Sequence, residues 1–192
     1  MVALRYRIYL TLLLVVLFTY TLEGPTVCFG QTANQQAPQE VKFSARFHIE
    51  KGKQRGFVIV RADIKKGCYI YGLKQTKPLL PSKLELTKIP QLKMSGKFKA
   101  DKPAKVIDND PIFKTRVEKH VGTVQFYVPI EIASGVDPAK IQPLVLFSGQ
   151  VCSDEGYCAP INKQKITAKF AGFFERQAKG FPQSSAKRQK SR

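Results

Sequence analysis

The sequence is poor in acidic side chains, in histidine and in long apolar runs. Fourteen Asp and Glu stand against 32 Lys and Arg, a net charge of +18. That excess favours solubility and attraction to anionic surfaces and carries no information on fold. The two histidines, His48 and His120, lack the cysteine or carboxylate spacing of a zinc site and read as exposed strand residues, so no metal site is expected. No G-x-G-x-x-G or G-K-[ST] loop is present, and no Ser, His and Asp set follows from position. Nucleotide chemistry and triad hydrolysis therefore have no support, and no cofactor is expected. Internal repeats are absent, as is convincing 3.6-residue periodicity before Ala171. The longest uncharged apolar stretch, residues 8–20, has thirteen residues, short of the ~20 that a permanent membrane helix needs.

That stretch follows Arg5 and Arg7 and stops before Glu23 and Pro25, the pattern of a secretory signal peptide. Residues 1–30 are expected to be a signal peptide cleaved after Gly30, and residues 31–40 a polar N-terminal segment. Cys28 is a poor lipoprotein acceptor, because Pro25, Thr26 and Val27 lack the usual small residue directly before it. Cleavage removes Arg5, Arg7 and Glu23 and leaves a charge of +17. Hydrophobic residues at 43% and charged residues at 24% of 192 fit a single soluble domain. Export places the chain in an oxidising, periplasmic or similar compartment where cysteines can pair. Cys68, Cys152 and Cys158 remain, so at most one intramolecular disulfide forms and one thiol is left over.

What the chain has in abundance is two-residue alternation. In residues 41–50, Val41, Phe43, Ala45, Phe47 and Ile49 share one side while Lys42, Ser44, Arg46, His48 and Glu50 share the other, which predicts a half-buried strand. Similar runs occupy residues 56–64, 68–73, 83–88, 122–132, 144–147 and 165–170, punctuated by glycine and proline. Residues 124–132 carry the longest alternation and predict a central strand, with Pro129 at a bulge or an edge-facing position because it cannot donate to a ladder. Many short strands without helix pairs predict an all-β antiparallel sandwich over residues 41–172. Residues 173–192 are strongly basic at their end and are expected to form a disordered tail.

Cys152 and Cys158 enclose five residues that include the turn formers Ser153, Asp154 and Gly156. Such a loop can fold back and bring the two sulfurs together. Closing about seven residues constrains the unfolded chain by only ~2.4 kcal/mol on the chain-entropy model, so the link is a weak staple. Thiol exchange needs an accessible thiolate and a second thiol close by to resolve the mixed disulfide, and a short hairpin supplies both. Asp154 and Glu155 would raise a neighbouring thiol pKa, and Lys163 and Lys165 would oppose them if they fold close. From spacing alone, a structural clamp is the commoner outcome in an exported protein.

The segment GQVCSDEGYCAP, residues 149–160, resembles the active-site hairpin of the N-terminal periplasmic domain of the DsbD thiol:disulfide interchange proteins. Those domains are immunoglobulin-like sandwiches in which two cysteines five residues apart flank an acidic residue, with a proline soon after. A Tyr-x-Tyr strand of the family is matched by Tyr69 and Tyr71. Its cap phenylalanine, the glutamate five residues on and the strand with its proline are matched in order by Phe113, Glu118 and Pro129. The resemblance spans residues 41–170. It implies that Cys158 forms the mixed disulfide, that Cys152 resolves it, and that Tyr69, Tyr71 and Phe113 shield the pair. Where the family often has an acidic pair before the cap phenylalanine, Pro111 and Ile112 stand here, with Asp108 and Asp110 upstream. Cys68 has no counterpart and is expected to be a buried, inert thiol.

The resemblance further implies thioredoxin-like redox partners and a separate membrane electron donor. Without it, Tyr69 and Tyr71 would read as ordinary packing residues of a strand. The alternative function is a non-catalytic extracytoplasmic interaction domain with a structural disulfide. Lysines scattered over many strands give no dedicated nucleic-acid groove and predict weak contact with anionic envelope surfaces instead.

Overall fold

The computed structural model describes residues 39–175. The expected signal peptide, Cys28, most of the expected polar segment 31–40 and most of the expected basic tail lie outside the described residues.

Eleven strands are formed: β1 (Val41–Glu50), β2 (Arg55–Ile64), β3 (Cys68–Tyr71), β4 (Lys83–Leu86), β5 (Leu92–Met94), β6 (Lys99–Ala100), β7 (Lys105–Ile107), β8 (Val117–His120), β9 (Thr123–Ile132), β10 (Leu144–Ser153) and β11 (Cys158–Phe174). A single 3₁₀ turn, Pro138–Lys140, is the only helical element among the described residues, and Asp137 caps it by accepting from the Ala139 N–H. The architecture is nearly all β. Hydrogen-bonded order runs β5-β9-β2-β1-β11-β10-β3-β8-β7, with β6 also on β9 and β4 also on β10.

The long strand β11 belongs to two layers. Its first part, through Thr167, runs antiparallel to β10, with Leu144 facing Thr167 and Cys152 facing Cys158. From Ala168 onward it runs parallel to β1, with Ala45 facing Ala168 and Glu50 facing Phe174. That is the one parallel pair in an otherwise antiparallel sandwich. It forms because the last strand closes against the first, and no short turn connects the two.

The two-residue alternation becomes burial. On β9, Val124, Phe126, Val128 and Ile130 are all essentially inaccessible, and Phe47, Val58 and Val60 meet them from the neighbouring strands of that layer. Ile70, Val145, Phe147 and Val151 supply the other side of the same core. Phe43 on β1 stacks across it onto Phe147 on β10 at 4.4 Å between ring centres. Each fully buried Val, Ile or Phe contributes about 1.5–3 kcal/mol of transfer free energy, so this core dominates stability.

Pro129 sits opposite Phe57 of β2, and its carbonyl accepts from the Ser95 N–H in the gap between β5 and β6. Its missing N–H points to the same gap, where no ladder bond is lost. This is the edge-facing position that proline requires in a sheet.

His120 departs from the exposed position expected for it. It faces Ile70 at the end of β8, is 6% exposed, and its ring meets Phe126 edge-on at 5.6 Å. Burial disfavours the imidazolium and lowers its pKa, against weaker opposing pulls from Asp101 and Glu118. His48 on β1 is half-buried and its pKa is also lowered, chiefly by desolvation and then by Arg46.

Candidate redox site

Strand β3 is covered on both faces. Cys68 and Ile70 point into the main core, whereas Tyr69 and Tyr71 point the other way into a smaller cluster with Leu79, Val117 and Cys152. Phe113 and Cys158 pack on that cluster from outside. The five side chains singled out by the family resemblance for thiol chemistry and shielding thus meet at one place.

Period-two geometry explains how they meet. Cys152 on β10 faces Tyr69 on β3 on one side and Cys158 on β11 on the other. One step further out, the Ser153 N–H donates to the Tyr157 carbonyl at 2.8 Å. Ser153 and Tyr157 therefore form a hydrogen-bonded pair, and the cysteines fall at the adjacent, narrower position. Their Cα atoms are 4.0 Å apart and the sulfurs are joined in a disulfide. The hairpin tip closes through Gly156, whose φ of 92° suits glycine and whose N–H donates to the Ser153 carbonyl.

The two sulfur-bearing residues differ in access. Cys152 is 1% exposed, while Cys158 is only partly buried. The Tyr71 hydroxyl lies 3.8 Å from the Cys152 sulfur and is the only possible proton donor of the two, since a disulfide sulfur carries no hydrogen. Gln150 donates from Nε2 to the same sulfur at 3.5 Å. The Tyr69 and Tyr71 rings meet edge-on at 5.6 Å. Burial is the main reason both phenols are pushed above the ordinary tyrosine pKa, and for Tyr69 the neighbouring Tyr71 adds to it.

A short turn carries the cap. Asp110 is 7% exposed, and its carboxylate accepts from the backbone N–H groups of Ile112 at 2.9 Å and Phe113 at 3.1 Å. The turn closes with Lys114 donating to the Asp110 carbonyl and Asp110 to the Thr115 carbonyl. This Asx-type closure aims Phe113 back at the cysteines. Beneath it, the buried Gln75 side chain accepts from the Glu118 N–H and donates to the carbonyls of Arg116 and Thr76, tying β8 to the loop after β3. Ser82 donates to the Tyr71 carbonyl at 2.5 Å.

Among charged groups, Asp154 and Glu155 are exposed at the hairpin tip. The cation near them is Lys119 of β8, with Nζ 3.9 Å from Asp154 Oδ1 and 4.4 Å from the centre of the Tyr69 ring. Lys163 and Lys165, weighed as counter-charges from the sequence, lie five and seven residues down β11, where Lys165 faces Leu146 and the Lys163 N–H bonds Ser148 Oγ. Lys119 was missed because its closeness depends on β8 pairing with β3, and β8 is too short to read from alternation. Gln150 escaped notice for a similar reason, and Asp110 was placed near the cap without its role in the turn. A strand glutamine and a loop aspartate carry no signal until the register is known.

Among the described residues, no group of three or more His, Cys, Asp or Glu is placed to hold a metal ion. Cys68 is a buried free thiol on the core face of β3.

No protein-family model matches the chain, and no curated protein matches it in sequence. Solved structures do. The chain is similar to the N-terminal domain of DsbD. The crystal structure of that domain from Neisseria meningitidis, in the reduced form, matches with TM-score 0.39 and 17% identity over 66% of this chain and 84% of that one. A structure of the complex between the DsbD and PilB N-terminal domains of the same organism matches with TM-score 0.42 and 19% identity, over 70% and 88%. The N-terminal periplasmic domain of ScsB from Proteus mirabilis matches with TM-score 0.41 and 13% identity, over 66% of this chain and 43% of that one.

Proposed function

We propose that this chain is an exported thiol-disulfide interchange domain, in which the Cys152–Cys158 disulfide passes electrons between thioredoxin-like proteins, supplied by a separate membrane electron donor. One observation carries the reading: the disulfide is asymmetric, with Cys152 buried, Cys158 only partly buried, and Tyr69, Tyr71 and Phe113 packed against the pair. A partner thiolate attacks whichever sulfur it can reach, so Cys158 takes the mixed disulfide and Cys152 is the group expelled and later the group that resolves. Tyr69, Tyr71 and Phe113 shield the pair from indiscriminate reductants until a partner displaces Phe113. The hairpin resemblance read from the sequence points the same way. Asp154 and Glu155 act weakly on the thiols, because solvent screens charges at an exposed tip.

Trapping tests the assignment. Cys152→Ser should accumulate a mixed disulfide through Cys158 with a thioredoxin-like partner, because resolution is blocked, whereas Cys158→Ser should trap none. Equal behaviour of the two variants would overturn the roles. A chain whose disulfide only clamps the hairpin would trap nothing with either variant.

A further inference from the structure

We propose that Gln150 and Tyr71 are catalytic residues of the exchange, acting as the two hydrogen-bond donors that stabilise the thiolate formed on Cys152. The inference rests on the interchange reading above and adds to it how the buried sulfur becomes a leaving group.

The reaction sets a specific demand. A partner thiolate attacks Cys158 Sγ, the Cys152–Cys158 bond breaks, a partner–Cys158 disulfide forms, and the bonding pair departs on Cys152 Sγ as a thiolate. The partner's second thiolate then attacks its own sulfur in that mixed disulfide. This closes the partner's disulfide and releases Cys158, so two electrons have moved from a partner dithiol to this chain. The slow part is placing a negative charge on Cys152. Water cannot reach a sulfur that is 1% exposed, and desolvation without compensation favours the thiol and makes the thiolate a poor leaving group.

The fold supplies compensation at that atom. Gln150 and Cys152 lie two residues apart on β10 and so project to the same face. The pairing of Val151 with Ile70 and of Cys152 with Tyr69 puts Tyr71 beside Gln150 at the next step. The Gln150 amide reaches the sulfur at 3.5 Å and the Tyr71 hydroxyl at 3.8 Å. Among the described residues these are the two side chains hydrogen-bonded to it. Burial pushes the Tyr71 phenol above the ordinary tyrosine pKa and so keeps it protonated as a donor. Both contacts strengthen as charge builds, because a hydrogen bond to an ion is about twice as strong as one between neutral groups. In the reverse direction the same donors hold Cys152 as the thiolate that resolves the mixed disulfide.

Site-specific titration of the reduced exported protein, with ¹³C at the cysteine Cβ atoms, reads the thiolate directly and needs no partner. Gln150→Leu and Tyr71→Phe should each raise the Cys152 midpoint by about one pH unit. They should also slow reduction of the disulfide by dithiothreitol about tenfold. Gln150→Glu keeps the shape but opposes charge with charge, so it should raise the midpoint further than Gln150→Leu, an outcome that a packing role for Gln150 would not give. Tyr71→Phe removes one hydroxyl and retains the ring, so the idea stays testable if the Gln150 variants fail to fold. Midpoints within about 0.3 units of the unsubstituted protein in the folded variants would overturn it. Loss of trapping with normal titration shifts would instead sink the interchange reading and leave the donor assignment standing.

Discussion

Asp110 holds the cap turn with one carboxylate oxygen shared by two backbone N–H groups. Asp110→Ala should therefore cost about 1 kcal/mol, as loss of a comparable cap does. It should also speed reduction of the disulfide by dithiothreitol, because Phe113 loses its anchor, while Asp110→Asn, which keeps the acceptor, should do neither. Thermal unfolding and the reduction rate check the two halves. His120 gives a pH signature at the same scale. Its pKa is lowered in the folded state by burial, so the unfolded chain binds more protons and stability must fall as pH drops below the ordinary histidine value of about 6.5. That loss continues until the folded-state pKa is reached and then levels off. Replacing His120 with Phe should flatten the slope in this window, as read from urea midpoints across pH. An unchanged slope would mean that His120 is not the group responsible.

The elements that frame the site differ in how far the sequence reveals them. Ten-residue strands with alternating faces, β1, β2 and β9, are readable because one face must be apolar for the whole length. Strands β5 to β8 have two to four residues, too few for a period to register, and β5 and β6 exist because the ten-residue β9 offers them a ladder. Strand β11 is a deeper case. Only residues 165–170 look like a strand in isolation, yet it runs for 17 residues, through the shift in pairing near Ser148 and across to β1. The cysteine pair and Tyr-x-Tyr stand out by residue type. Lys119, Gln75 and Gln150 do not, because their placement comes from cross-strand register. The cap is the element with the clearest consequence. Phe113 is half-buried against the cysteine cluster, and removing it should forfeit about 1.5 kcal/mol of cover. Phe113→Ala should then raise the rate at which dithiothreitol reduces the disulfide about tenfold.

Across the whole molecule, stability resides in the two-layer core and reactivity in a disulfide at a hairpin tip, in a separate small cluster. Replacing both Cys152 and Cys158 with alanine should lower stability by about 2.4 kcal/mol on the chain-entropy model and leave the sandwich folded. Strand chemical shifts should survive outside residues near the hairpin. Separation of this kind lets a disulfide open and close without unfolding its carrier. The charge of +18 acts at the same scale. Adhesion to anionic vesicles should weaken steeply as salt rises past about 0.1 M, where the screening length falls to about 10 Å. Most direct of all is the reduction potential of the Cys152–Cys158 pair, measured by equilibration against glutathione or dithiothreitol. An interchange disulfide should come to balance between roughly −120 and −270 mV, the span of thioredoxin-like proteins, whereas a value below roughly −300 mV would mark a structural clamp and contradict the account.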